Sequence, residues 1–170
     1  MKRYNMIRSG STISKIVDIL FHRTVTQDQL EYMIQVKHNT LLVSMNRAIQ
    51  YNLIVQHPLS LTPQGRLYHI ANTLNISMLE LIAVSSIYAQ LDAWDNSALR
   101  YYTTNKFAIK DYAIFRSYKV KSPRLIYGKL LSKGMIHKVG RQNLVSINDA
   151  TLRQLLLYHD DLLSLYRNLQ

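Results

Sequence analysis

The sequence predicts a mainly α-helical chain with two small β-hairpins and long helices between and after them. Three observations carry this reading. Apolar residues recur at i, i+3 and i+4 through most of the chain. Two pairs of short β-favouring runs, residues 53–55 with 59–61 and 135–139 with 144–147, are separated by turn-forming residues. Each pair follows a helix stop, Asn52 or Gly134, and leads to a helix cap, Thr62 or Asp149. A chain of 170 residues buries a sizeable core, and length alone allows one domain or two small ones. The repeated order favours two, residues 1–72 and 73–170.

In the first half, Ile13, Ile16, Val17, Ile19, Leu20 and Phe21 predict a helix over residues 14–22, capped by a Ser or Thr. Thr24 and Val25 favour a short strand. Thr26 and Gln29 have capping-box spacing and start a second helix to about residue 35, followed by a turn over 36–38. Asn39 can cap a third helix whose Leu41, Met45, Ala48 and Ile49 form one core-facing stripe, ending at Asn52. Leu53-Ile54-Val55, the turn His57-Pro58 and Leu59-Ser60-Leu61 make a hairpin. Thr62 then caps a helix with Pro63 at its first position, where a missing N–H costs least.

The order helix, short strand, helix, helix, hairpin, helix, closed by Leu61-Thr62-Pro63-Gln64-Gly65-Arg66, resembles the winged-helix regulators. In those proteins a Leu-Thr-x-x-Gly segment leads from the wing into the next helix. The resemblance covers roughly residues 13–72 and implies that the third helix is a recognition helix. Its positions off the core stripe are Asn39, Thr40, Leu42, Val43, Asn46, Arg47 and Gln50. Asn, Arg and Gln bond base edges or phosphates, whereas Leu42 and Val43 either touch thymine methyls or pack on protein. The alternative for this half is an assembly module of the same shape.

Residues 76–91 form a helix that is apolar on nearly all sides, capped by Asn75 or Ser77. It must be covered on both flanks, by the two halves or by a second copy of the chain. It is too short and too interrupted by polar residues to span a bilayer. Residues 97–102 can form a short helix and 107–115 a further one of about three turns.

Ser122 as cap and Pro123 as first residue start a helix over 123–133, with Ile126, Tyr127, Leu130 and Leu131 inward and Arg124, Gly128 and Lys129 on the open side. Gly134 ends it, and residues 140–143 form a hairpin tip carrying Arg141, Gln142 and Asn143. The segment from Ser122 to Ile136 is similar to the recognition helix and helix stop of MarR-like regulators. That resemblance places Ser122, Arg124 and Lys129 at a DNA groove and Arg141 at a wing contact, giving a tandem winged helix-turn-helix. Independently, aligning Asn52-Leu53-Ile54 with Gly134-Met135-Ile136 places Arg47 on Lys129 and Ala48-Ile49 on Leu130-Leu131.

Charge follows the same organisation. Lys and Arg total 21 against 10 Asp and Glu, a formal net charge of +11. Residues 108–147 hold 9 of the basic groups and 1 acid. Lys119, Lys121, Lys138 and Arg141 flank the helix of this block, so double-stranded DNA is the expected partner, with RNA or another acidic surface as the alternative.

From Asp149 a final helix is expected to run to the chain end, with positions 152, 155, 159, 162, 166 and 169 at a/d heptad spacing. That stripe packs on its own domain or pairs two copies; a homodimer is expected, since two half-sites raise specificity.

The chain has no cysteine, which excludes disulfides and thiolate metal sites. The basic N-terminus lacks the apolar run of a signal peptide, so a cytoplasmic, nucleoid-associated location is expected. The six His show neither paired i, i+4 spacing nor nearby acids, and no phosphate loop or nucleophile elbow occurs. The expectation is therefore no enzyme, no cofactor and no metal. The sequence points to a sequence-specific DNA-binding protein acting in transcription regulation or in plasmid or phage maintenance. The rival is a protein-interaction module docking on replication or transcription machinery through residues 76–91.

Overall fold

The computed structural model describes residues 7, 10–92, 123–139 and 144–167. The described elements are α1 (Thr12–His22), α2 (Gln27–Ile34), α3 (His38–Gln50), β1 (Ile54–Gln56), β2 (Leu59–Leu61), α4 (Pro63–Thr73), α5 (Met78–Asp92), α6 (Pro123–Ser132), β3 (Ile136–Val139), β4 (Leu144–Ile147), α7 (Asp149–Leu156) and α8 (His159–Arg167). The chain is mainly helical, with two antiparallel hairpins, β1–β2 and β3–β4. It divides into two compact units, Met1–Met78 and Leu79–Gln170. The expected helices over 97–102 and 107–115 lie outside the described residues.

In the first unit, α1 starts at Thr12 because the Ser11 hydroxyl accepts from Ser14 N–H. The capping box of α2 forms as its spacing predicts: Thr26 Oγ1 accepts from Gln29 N–H, and Gln29 Oε1 accepts from Thr26 N–H. Gln35, in the left-handed region at φ 57°, turns the chain towards α3. Two expectations are corrected here. Thr24 and Val25 form no strand; they lie in an extended connection in which half-buried Val25 packs on the core, so burial rather than a β-ladder satisfies it. Asn39 is not the cap of α3. The cap position lies two residues earlier, at Lys37, which makes no side-chain capping bond, and His38 Nδ1 meets Glu31 Oε2 of α2 at 2.6 Å.

Ile16 and Val17 of α1, Leu30 and Ile34 of α2, Leu41, Met45 and Ala48 of α3, and Leu53, Ile54 and Tyr68 form the core of this unit. Each fully buried large aliphatic side chain contributes about 1.5–3 kcal/mol. Burial pushes the Tyr68 hydroxyl up to about 12. It stays protonated and donates to the Ile7 carbonyl.

Helix α3 ends at Asn52, left-handed at φ 57°, and Leu53 N–H bonds Ala48 O. The chain then returns through β1 and β2, with Ile54 opposite Leu61. Thr62 closes the loop. Its N–H donates to Leu53 O, its hydroxyl donates to Asn52 O, and the same hydroxyl accepts from Gly65 N–H to cap α4. A Cβ on Gly65 would run into the Leu53 carbonyl, so only glycine lets α4 approach this closely.

The second unit repeats the backbone bonds of this pattern. Gly134, at φ 66°, stands for Asn52; Met135 N–H bonds Leu130 O as Leu53 N–H bonds Ala48 O; Asn148 N–H bonds Met135 O as Thr62 N–H bonds Leu53 O. Asn148, not the expected Asp149, caps α7 by accepting from Ala150 N–H. The side chains of Ile136 and Ile147 face one another across β3–β4 as Ile54 and Leu61 do across β1–β2.

Helix α5 is buried without interruption from Glu80 to Ala89, as its all-round apolarity requires. Glu80 Oε2 meets Lys133 Nζ at 3.2 Å. The single C-terminal helix expected from Asp149 is corrected to two, α7 and α8, parted at Leu157–Tyr158. There the backbone tightens to i→i+3 bonds, Leu157 N–H to Gln154 O and Tyr158 N–H to Leu155 O. Asp160 and Asp161 then favour a new helix start, because carboxylates stabilise the positive N-terminal end of the helix dipole. His159 Nδ1 is held by Tyr88 Oη at 2.8 Å.

Gly65→Ala should destabilise the first unit by about 2–3 kcal/mol, because backbone must move to admit the methyl group. Thr62→Ala should cost about 1–2 kcal/mol through the lost cap, with Thr62→Ser retaining most of it. Urea unfolding reads both, and a Gly65→Ala midpoint equal to wild type would contradict the close approach.

Candidate nucleic-acid interface

Helix α3 sorts its residues by angle. At about 100° per residue, Leu41, Met45 and Ala48 fall within a narrow arc, and all three are buried. Asn39, Val43, Asn46 and Gln50 fall along one line on the far side, with Thr40 and Arg47 beside it, and all six are exposed. The four first-half candidates, Asn39, Thr40, Asn46 and Arg47, are thus brought together on one solvent face. Leu42 is half-buried, while Val43 is 50% exposed and offers an apolar spot between the polar residues. Asn and Gln suit the paired donor and acceptor of an adenine edge, Arg suits guanine, and Val43 and the Thr40 methyl suit thymine methyls.

The core residues, the His38–Glu31 contact and the Thr62 bonds hold this face. Lys37 stands exposed beside its N-terminal end, and the tip residues His57 and Pro58 of β1–β2 are exposed as well.

In the second unit, Lys119, Lys121, Ser122, Arg141, Gln142 and Asn143 lie outside the described residues. Arg124 is in the first turn of α6, and its side chain lies outside them too. Lys129 and Lys138 are exposed, on α6 and β3. Ile126 and Leu130 are buried and Tyr127 and Leu131 half-buried, so the inward face is the expected one. The outward face adds Leu125, 68% exposed and one turn before Lys129. Lys133 is engaged by Glu80, which takes one of the nine cations of this block into an internal ion pair.

The expectation that no histidine has a nearby acid is corrected. Asp18 and His22 are four apart on α1, and His69 arrives from α4. Asp18 Oδ1 lies 3.9 Å from His22 Nε2 and 3.5 Å from His69 Nδ1. The three donor atoms lie within 4.8 Å of one another, an arrangement able to hold a metal ion. The Asp18/His22 spacing was present in the sequence; the contribution of His69, 47 positions further on, exists only once α1 and α4 pack.

Among the described residues no single helix is long and apolar enough to cross a membrane. Comparison with protein-family models, curated proteins and solved structures returns no match for this chain.

Proposed function

We propose that this chain is a double-stranded DNA-binding protein built from two winged helix-turn-helix units in tandem, on a MarR-like plan. The observation that carries the reading is the solvent face of α3. It gathers Asn39, Thr40, Asn46, Arg47 and Gln50 around Val43, a set of side chains suited to base edges and thymine methyls, on a helix that follows α2 after a three-residue turn. The repetition of the backbone bonds at the helix stop and hairpin base in the second unit supports a shared plan. In that unit α6 is the corresponding reader, with Arg124 and Lys129 towards the groove, Lys119, Lys121 and Ser122 leading in, and Lys138, Arg141, Gln142 and Asn143 on the wing.

The mechanism is occupancy. A recognition helix enters the major groove, the hairpin reaches the adjacent backbone, and two copies read two half-sites. Such a protein regulates transcription or serves plasmid or phage maintenance by holding its site. The rival, docking on replication or transcription machinery through residues 76–91, requires an exposed apolar helix, and residues 80–89 are buried within the chain.

Arg47→Ala and Asn46→Ala should each weaken binding to the selected site by about 5- to 150-fold, or ~1–3 kcal/mol, and relax preference at one or two base positions. A binding selection from random duplexes, repeated with each variant, reads this directly. With six or so cations on phosphates, log affinity should fall against log salt with a slope of roughly −5. The triple variant Arg124→Ala, Lys129→Ala, Arg141→Ala should make that slope shallower by about 2–3. Unchanged affinity of the triple variant for every duplex tested would remove the second unit from the interface. Sedimentation should show a dimer at high micromolar concentration, and a monomer there would contradict the paired-half-site mechanism.

A further inference from the structure

We infer that Asp18, His22 and His69 form a binding site for a divalent transition-metal ion, of which zinc is the representative, clamping α1 to α4. The donor set is one carboxylate oxygen and two imidazole nitrogens, a combination suited to zinc and its first-row neighbours. Bonds of about 2.0–2.1 Å in tetrahedral geometry place donors roughly 3.3 Å apart. The Asp18 oxygen already lies 3.5 Å from His69 Nδ1 and 3.9 Å from His22 Nε2, and all three donors fall within 4.8 Å. Closing the remaining gap takes only side-chain rotation of Asp18 and His22, which are exposed and unconstrained by core packing.

His69 is the fixed point. Its side chain is 5% exposed, Phe21 stacks on its ring at 3.9 Å with an interplanar angle of 18°, and Thr73 Oγ1 lies 3.4 Å from its Nε2. In the tautomer a bound ion would select, Nε2–H donates to Thr73 Oγ1 and Nδ1 is the ligand atom on the Asp18 side. Orientation of a ligating imidazole by a partner on its other nitrogen is the usual outer-shell arrangement of metal sites. The His22 ring meets His69 edge-on at 5.4 Å, so both rings border the same space. The charged neighbour acting against a cation is Arg66, whose guanidinium sits over the Phe21 ring, 4.7 Å from its centroid. The exposure of Asp18 and His22 leaves the fourth coordination position to water.

An Asp–His ion pair alone accounts for two of these groups. It does not account for a third donor converging from the same helix, with the buried ring between them stacked and oriented. Because α1 packs on both α3 and α4, an ion tying α1 to α4 would stiffen the helix against which the α3 face is held. The inference stands apart from the proposed DNA binding.

The test uses the full chain, stripped with chelator and titrated with zinc chloride or cobalt chloride alone. Saturating zinc should raise Tm by about 5–10 °C, and cobalt should develop the visible d–d bands of a low-coordinate site. Asp18→Asn with His22→Asn, both at exposed positions, should abolish both signals while leaving the metal-free Tm within a few degrees of wild type. Thr73→Val should weaken metal affinity about 10-fold or more. No Tm shift in the wild-type chain, or an equal shift in the double variant, overturns the site and leaves an Asp18–His69 ion pair alone.

Discussion

The bonds around Thr62 are the constraint on which the first unit depends. One hydroxyl donates to the Asn52 carbonyl just past the end of α3 and accepts from the first turn of α4 at Gly65, while the Thr62 N–H ties down Leu53. These atoms fix where α3 ends, where the hairpin begins and how closely α4 can lie. Gly65 belongs to the same device, because the Leu53 carbonyl occupies the space a Cβ would need. A Leu-Thr-x-x-Gly segment is thus a set of positional demands: a hydroxyl able to donate and accept at once, then a residue with no side chain three places on. Asn148 closes the corresponding junction in the second unit with the same backbone bond to Met135 O, while its amide oxygen caps α7 through the N–H two residues on, where Thr62 uses the one three residues on.

Local chemistry made much of this architecture legible. The Thr26/Gln29 capping box, the left-handed Asn52 and Gly134, the Thr62-Pro63 start and both hairpins are short-range features that single residues specify. The failures have physical reasons as well. Thr24 and Val25 have β-favouring side chains, but a strand also needs a partner, and none of the described residues supplies one. The C-terminal stripe of leucines carries a heptad pattern that says nothing of the backbone tightening at Leu157 and Tyr158. Asp18 and His22 stand four apart in the sequence and escape a reading that looks for paired histidines; the third donor, His69, arrives only through packing.

Formal charge also differs from the charge a partner meets. Lys133 belongs to the most basic block of the sequence, yet its ammonium is turned to the buried carboxylate of Glu80. Removing Glu80 from water is unfavourable unless a cation accompanies it, so that lysine is committed to the fold. Helix α5 shows the complementary case. Its uniform apolarity suggests a docking surface when read as a sequence, and the folded chain consumes that surface internally.

The two hairpins differ in one respect that the rest of the plan absorbs. Between the helix stop and the next helix, the first has three cross-strand pairs and a two-residue turn; the second has four pairs and loop residues 140–143. All the added length sits beyond Ile136 and Ile147, distal to the bonds at the hairpin base. Chain can therefore be inserted at the tip without any change in the bonds at the hairpin base or in the helix that precedes it. Hairpin length is in this sense decoupled from stability, and it can drift under selection in one unit while the other stays as it is.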